Sequence, residues 1–514
     1  MPRIHLFLLW MSLALISFTG PASAQAPLRL VVDADQGETT ISRHIYGHFA
    51  EHLGRGIYDG IWSKAGGGDW VLRDDVIEAL RAIKIPNLRW PGGCFADYYH
   101  WMDGIGPRAD RPTIVNNLWG GVTEDNSFGT HEFMALIDRL GADPVVVGNV
   151  GSGTVQEMSQ WWEYMNHPGV SPMADLRREN GRDTPWNVRF WGVGNESWGC
   201  GGNMRPEFYA DQYKRYATYL HRYGDVRPFR IATGAGSDDY AWTEVMMRDA
   251  GEMIDGLDIH NYTLNGTWAK KGPAVGFSEA EWFELMQRAL QQDDLVSRHA
   301  TIMDRYDPEK RVWLIMGEWG TWHEREPGST PGFLYQQNTL RDALVAAISL
   351  NIFNSHADRV KMANIAQTVN VLQAMILTRG EQLILTPTYH VFALYTAHHD
   401  ATLLPIHLDA GAYTYEDQSL PALSASASKQ TDGSILITIA NIDPHQARDV
   451  AIDVRGLDVR SVSGRILNGA AMDAHNTFER PNEVAPASFD GARLAGGTVA
   501  LQVPAHALVA LTLR

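Results

Sequence analysis

Short apolar runs separated by longer segments with three- and four-residue apolar spacing fill the first two-thirds of the chain. The short runs occupy residues 45–51, 87–90, 144–149, 188–194, 229–234, 256–260, 312–317 and 360–365. Runs of this length, bounded by polar residues, read as buried strands. The longer segments include 74–84, 132–140, 207–223 and 336–350, whose periodicity predicts amphipathic helices. Eight strand units alternating with helical ones predict an α/β architecture, a (β/α)8 barrel with loop insertions.

Past about residue 395 the pattern changes. Runs at 434–440 and 507–513 are apolar or alternating, and turn signals such as Thr431-Asp-Gly433 separate them. This predicts an antiparallel β-sandwich of jelly-roll type. All 17 tryptophans lie at or before Trp322, so the composition breaks as well. Leu28-Arg-Leu-Val-Val-Asp33 has sandwich character yet precedes the first barrel strand. The expected organisation is a signal peptide at 1–24, an N-terminal segment at 25–44 joining the β-domain, a barrel at 45–394 and a β-sandwich at 395–514.

The leader expectation rests on Arg3 and His5, the apolar run from Leu6 to Phe18, and the small-x-small end Ala22-Ser-Ala24. It implies a secreted or periplasmic protein. The formal net charge of -17 argues against nucleic acid or an anionic membrane surface as a partner, because both need a basic face. It suits a neutral substrate. Cys94 and Cys200 are the two cysteines. A chain this long needs no bridge, so two free, partly buried thiols are the favoured reading over a disulfide. No Cys/His spacing resembles a structural zinc site.

The candidate chemistry sits at the strand ends. The first strand delivers Glu51 and His52, and the second Arg89, with Gly92, Gly93 and Cys94 just beyond. The third ends at Asn149 and the fourth at Asn195 and Glu196. The sixth delivers His260, Asn261 and Tyr262, the seventh Glu318, and Gln367 follows the eighth. Burying so many polar side chains in one core would be costly, whereas a pocket at a barrel mouth accommodates them together.

Two carboxylates facing each other in an aromatic-rich pocket are the working parts of a glycosidase. One protonates the leaving oxygen; the other attacks the anomeric carbon or activates water. A glutamate's ordinary pKa is about 4.3, so the donor must be raised by burial or by a neighbouring negative charge. Glu196 and Glu318 can do this for each other. Arg89 and Tyr262 are suited to bonding one of them and keeping it ionised, and Asn195 to gripping a sugar hydroxyl. Plainer readings exist for each: an ion-paired strand-end glutamate, an Arg89 salt bridge, packing roles for Tyr262, Trp119 and Trp322, a tight turn at Gly92-Gly93. Asn265-Gly-Thr267 reads as a chance glycosylation sequon. The combination outweighs its members, because the strand count independently sets both glutamates at one end of one barrel.

The chain resembles the α-L-arabinofuranosidases of glycoside hydrolase family 51. The likeness is carried by Ile45-Tyr-Gly-His-Phe-Ala-Glu-His-Leu-Gly54, Arg89-Trp-Pro-Gly-Gly-Cys-Phe95, Trp101-Met-Asp-Gly-Ile-Gly-Pro107 and Glu124-Asp-Asn-Ser-Phe-Gly-Thr-His-Glu-Phe133. It continues in Gly194-Asn-Glu-Ser-Trp-Gly-Cys-Gly-Gly202, Gly317-Glu-Trp-Gly320 and Asn364-Ile-Ala-Gln-Thr-Val-Asn370. The resemblance implies a retaining double displacement with Glu196 as general acid/base and Glu318 as nucleophile, their carboxyl groups about 5–5.5 Å apart. It implies that Glu51, Cys94, Asn195 and Gln367 bind the arabinofuranose, that Arg89, Tyr262 and His260 orient the nucleophile, and that Trp119 and Trp322, with Tyr262, wall the pocket. It implies no metal or organic cofactor, an arabinose-containing polysaccharide or oligosaccharide as partner, and homo-oligomers. Many members read Gly-Asn-Glu-Met-Asp-Gly where this chain has Gly194-Asn-Glu-Ser-Trp-Gly199, a departure on the leaving-group side. Cys94 and Cys200 both fall on active-site loops, where a bridge would shape the pocket. An endo-acting β-glucanase or xylanase on the same barrel, and a non-catalytic carbohydrate-binding protein, are the rival expectations.

Overall fold

The computed structural model describes residues 26–64 and 67–514. The expected leader lies outside the described residues. None of the described helices is long and apolar enough to cross a membrane.

Eight strands pair in parallel around a closed barrel: β1 (Gly47–Phe49), β2 (Asn87–Trp90), β3 (Asp143–Gly148), β4 (Phe190–Val193), β5 (Phe229–Gly236), β6 (Gly256–Thr263), β7 (Trp313–Thr321) and β8 (Val360–Ala366). The circle closes where Asn364 of β8 pairs with Gly47 of β1. Every strand read from the sequence is present. The floor of the barrel is a buried cluster of Val145, Phe190, Phe229, Ile231, Ile315 and Met362. It fills the interior as side-chain layers do in such barrels. The polar residues near the carboxyl ends of the strands therefore stand above an apolar plug.

Boundaries differ where local bonding overrides periodicity. The helix expected at 336–350 is Leu340–Ser355. Thr339 caps it, and Asp342 completes a capping box. Gln336 is held outside the helix because its side chain accepts from the His323 N–H and donates to the Thr321 carbonyl. The helix expected at 207–223 is Pro206–Ala217. The Thr218 hydroxyl bonds back to the Lys214 carbonyl, and Tyr223 pairs with Val226 in an isolated bridge. Strand β7, expected to stop at residue 317, runs on to Thr321, so Glu318 lies within it and pairs with His260 of β6.

The C-terminal sheets form two layers around one core. A six-stranded antiparallel sheet includes Leu423–Lys429, Ile435–Asn441, Ala507–Leu513 and Val462–Leu467. A five-stranded sheet includes Arg448–Arg455, Thr498–Val503 and the N-terminal strand Leu28–Asp33. That last strand pairs parallel with Arg448–Arg455, among the described residues the one parallel pairing in an otherwise antiparallel pair of sheets. Ile437, Val509 and Leu511 of one layer share a buried cluster with Leu30, Ile452 and Leu501 of the other. The barrel is bonded to this region by the Trp282 indole, which donates to the Ile442 carbonyl, and by Asn354, which donates to Ser426.

Candidate active site

The strand ends open into a cavity of about 1020 Å³. Ten of the residues singled out above line it: Glu51, Cys94, Trp119, Glu196, His260, Asn261, Tyr262, Glu318, Trp322 and Gln367. Arg89 and Asn195 lie behind its wall, both almost fully buried. His52 faces away from it, bonded to Glu124 and to the Trp90 indole. Asn149 serves its own loop, accepting from the Ser152 and Gly153 amides.

Glu318 is held by both oxygens. Arg89 donates to one at 2.8 Å and the Tyr262 hydroxyl to the other at 2.8 Å. The second Arg89 amino group donates to the Asn195 side-chain oxygen, so the Asn195 amide is engaged from behind. His260 sits between the acids. Its Nδ1 lies 2.9 Å from Glu196 and 3.6 Å from Glu318, and its Nε2 lies 3.4 Å from Asp258. One oxygen of Glu196, one of Glu318 and a ring nitrogen of His260 all lie within 4.8 Å of one another.

The electrostatics follow from burial and these partners. Burial alone would lower His260, but the charges of Glu318 and Asp258 and its hydrogen bonds to Asp258 and Glu196 override it, and its pKa is pushed up to about 10. Burial and the Glu318 charge raise Glu196 above the ordinary carboxylate range, against the pull of His260. Burial, then Glu318, push Glu51 up to about 8. Glu51 is gripped by the Phe95 amide, the Trp119 indole and the Gln367 side chain.

Glycines make room for these carboxylates. A Cβ on Gly93 would stand 2.6 Å from a Glu51 oxygen, so the Gly92-Gly93 pair is more than a turn. A Cβ on Gly317 would overlap the Asp258 carboxylate. Gly317→Ala is therefore expected to cost about 1–3 kcal/mol of stability by overpacking and to displace Asp258 from beneath His260. A thermal melt matching wild type would count against this account.

Glu196 follows β4 with φ +40°, a left-handed backbone that costs on the order of 1–3 kcal/mol for a non-glycine residue. The loop beyond it compensates: the Gly199 and Gly201 amides both donate to the Glu196 carbonyl. Cys94 and Cys200 are joined in a disulfide, with Cα atoms 5.5 Å apart across 106 residues of sequence. This corrects the free-thiol reading. The loops after β2 and β4 converge over the barrel mouth, which sequence distance hides. Both sulfurs lie against the Glu196 carboxyl, at 3.8 and 3.5 Å. Asn265 of the sequon is buried, its amide spent on the Glu281 carbonyl and on Glu284.

Sequence reasoning passed over two acids. Asp97 accepts from the amides of Val150, Gly151 and Asn195, tying the loops after β3 and β4 to the turn that carries Cys94. Asp258 lies below His260 and 3.8 Å from Arg89. Period-two alternation through Gly256-Leu-Asp-Ile-His260 would have found it, because Asp258 must share a face with His260.

A carboxylate pair in an aromatic-walled pocket at the mouth of a (β/α)8 barrel is the equipment of a glycoside hydrolase. The α-L-arabinofuranosidase 1 domain matches residues 79–275, and the α-L-arabinofuranosidase C-terminal domain matches residues 317–507. A Bacteroides ovatus protein named intracellular exo-α-L-arabinofuranosidase is 49% identical over 98% of this chain and 99% of its own length. The crystal structure of a GH51 arabinofuranosidase from Xanthomonas axonopodis pv. citri has a TM-score of 0.93 at 49% identity, covering 95% of this chain and 100% of that one. That of an α-L-arabinofuranosidase from Thermotoga maritima in complex with arabinose has a TM-score of 0.81 at 32% identity, covering 94% and 99%. The chain belongs to glycoside hydrolase family 51, the α-L-arabinofuranosidases.

The same comparison corrects the expected localisation. The expectation of a secreted or periplasmic protein is overturned by the Bacteroides ovatus relative, which matches along nearly the whole chain and is named intracellular. Physically, a short apolar run ending in small residues is a weak signal, because ordinary apolar segments share its length and composition.

Proposed function

We propose that the protein removes non-reducing terminal α-L-arabinofuranosyl groups by double displacement, from arabinoxylan, arabinan or oligosaccharides derived from them. The observation that carries this is the approach of the two carboxylates. Oxygens of Glu196 and Glu318 within 4.8 Å of each other suit the short separation of retaining enzymes rather than the roughly 6.5–9.5 Å that leaves room for an attacking water.

Glu318 is the nucleophile in this reading. Arg89 and Tyr262 aim it from both oxygens. Glu196 is the acid/base. His260 engages its Oε1 at 2.9 Å, which leaves Oε2 to carry the proton to the leaving oxygen. Once Glu318 is esterified its charge is gone, and with it one of the two causes that raise Glu196. Glu196 then gives up its proton more readily and serves as base toward water. Glu51, Cys94 and Gln367 at the cavity wall, with Asn195 just behind, hold the arabinofuranose, and Trp119, Tyr262 and Trp322 enclose it.

Release of nitrophenol from 4-nitrophenyl α-L-arabinofuranoside, with arabinose as the sugar product, is the expected result. Failure to release it, together with chain cleavage of unsubstituted xylan or β-glucan, would replace this reading with an endo-acting one.

A further inference from the structure

The cavity is larger than one pentose ring requires, at the upper end of what small-molecule sites enclose. Its wall beyond Glu196 has no part in holding Glu318 or Glu51. That wall is Trp198 and the turn Gly236-Ser237-Asp238-Asp239, with Asn261 alongside. Trp198 lies two residues past Glu196, in the stretch where this chain departs from the pattern of many family members. Its ring packs flat on the backbone of β5: a Cβ on Gly236 would stand 2.7 Å from the indole. Its Nε1 donates to the Gly234 carbonyl at 3.1 Å. The ring is thus locked, with one face on the strand and its residue still partly exposed to the cavity.

The turn beside it is also fixed. Ser237 has φ +51°. Its amide donates to the His260 carbonyl, its hydroxyl donates to the Asn261 side-chain oxygen at 2.9 Å, and its carbonyl engages His299. The Asn261 amide nitrogen and the exposed Asp238 carboxylate have no bonds to other side chains among the described residues, and both border the cavity. A flat apolar plate flanked by one donor and one acceptor matches a pyranose chair with equatorial hydroxyls. The C–H face lies on the ring and the hydroxyls reach the polar rim. A furanose is puckered and carries an exocyclic arm, so it covers such a plate poorly.

Resting on the function proposed above, we infer that Trp198, with Asn261 and Asp238, forms a leaving-group subsite for a pyranose ring. The preferred substrates are then arabinofuranosyl groups carried on a xylopyranose backbone rather than on another arabinofuranose.

The test compares two natural substrates that yield the same sugar product. These are a xylotriose bearing one arabinofuranosyl branch and α-1,5-arabinotriose, assayed with wild type, Trp198→Ala and Trp198→Phe. Wild type is expected to favour the xylotriose by kcat/KM. Trp198→Ala should lower kcat/KM on the xylotriose about tenfold more than on the arabinotriose, and Trp198→Phe, which keeps a plate, should retain most of the preference. Equal losses on both substrates, or a wild-type preference for the arabinotriose, would overturn the subsite while leaving the activity standing. A wild-type protein that releases arabinose from neither would overturn the activity itself, and the subsite with it.

Discussion

Glu318→Ala is expected to slow turnover of arabinofuranosides by about 10⁴- to 10⁶-fold while arabinose still binds. The size of the effect follows from what the side chain does. Arg89 and Tyr262 clamp its two oxygens and aim it into the cavity. The other doubly held acid, Glu51, is tied to Phe95, Trp119 and Gln367, so no neighbour can take its place without breaking its own bonds. The bonds that grip Glu51 from Phe95, Trp119 and Gln367 do not involve Glu318, so the sugar retains its seat. Removing the charge also relieves Glu51, whose raised pKa owes its second-largest cause to Glu318. Calorimetry should therefore show arabinose affinity within an order of magnitude of wild type while turnover is lost. Glu318→Gln guards against collapse of the Arg89–His260 cluster, because it keeps the shape and a hydrogen-bonding oxygen. Turnover near the wild-type level in either variant would remove Glu318 from the chemistry.

The barrel was legible because its strands are buried on both faces and so appear as compact apolar runs. The periodic helices between them set the parallel direction. The C-terminal layers were legible for a different reason, the closely spaced turns between short strands. Boundaries were less so. The start of the helix at Leu340 depends on Thr339 and Asp342 closing a capping box, and on Gln336 being drawn to His323 and Thr321. The capping box is a local signal that was there to be read, while the pull on Gln336 comes from neighbours 13 and 15 residues away.

At the site, the strand-end carboxylates stood out because each ends an apolar run, whereas Trp119 and Trp322 were marked as pocket walls only by the family resemblance. Asp258 did not, because it sits inside its run, although its alternation with His260 was there to be read. Asp97 looked like any acid in a turn; only the approach of the loops after β3 and β4 reveals its three amide donors. The disulfide was illegible in the same sense. The family resemblance sets Cys94 and Cys200 on active-site loops, but they are 106 residues apart, and their spacing does not record that the two sulfurs meet over Glu196.

Replacing Glu196 separates the two halves of the proposed reaction. In Glu196→Ala, hydrolysis of substrates with sugar leaving groups should fall by about 10²- to 10⁴-fold, because an alkoxide cannot depart without a proton. An activated aryl arabinofuranoside needs no such help. Its first step should survive, the arabinosyl-enzyme should accumulate, and a burst of nitrophenol should precede a slow steady state. Azide, a nucleophile that needs no base, should then restore turnover and yield an arabinosyl azide. The pH profile carries the sign. Burial and the Glu318 charge raise Glu196 above its ordinary value, so the wild-type enzyme holds its catalytic proton at pH values below that raised pKa. It loses activity as pH climbs through it. His260, pushed up to about 10, keeps its proton across the neutral range and cannot be the source of that limb. The part of the alkaline limb of kcat/KM that belongs to Glu196 should therefore be absent in Glu196→Ala with the aryl substrate, leaving only what Glu51, pushed up to about 8, contributes. An unchanged limb, or azide that restores nothing, would assign the proton to another group and leave Glu196 a bystander beside His260.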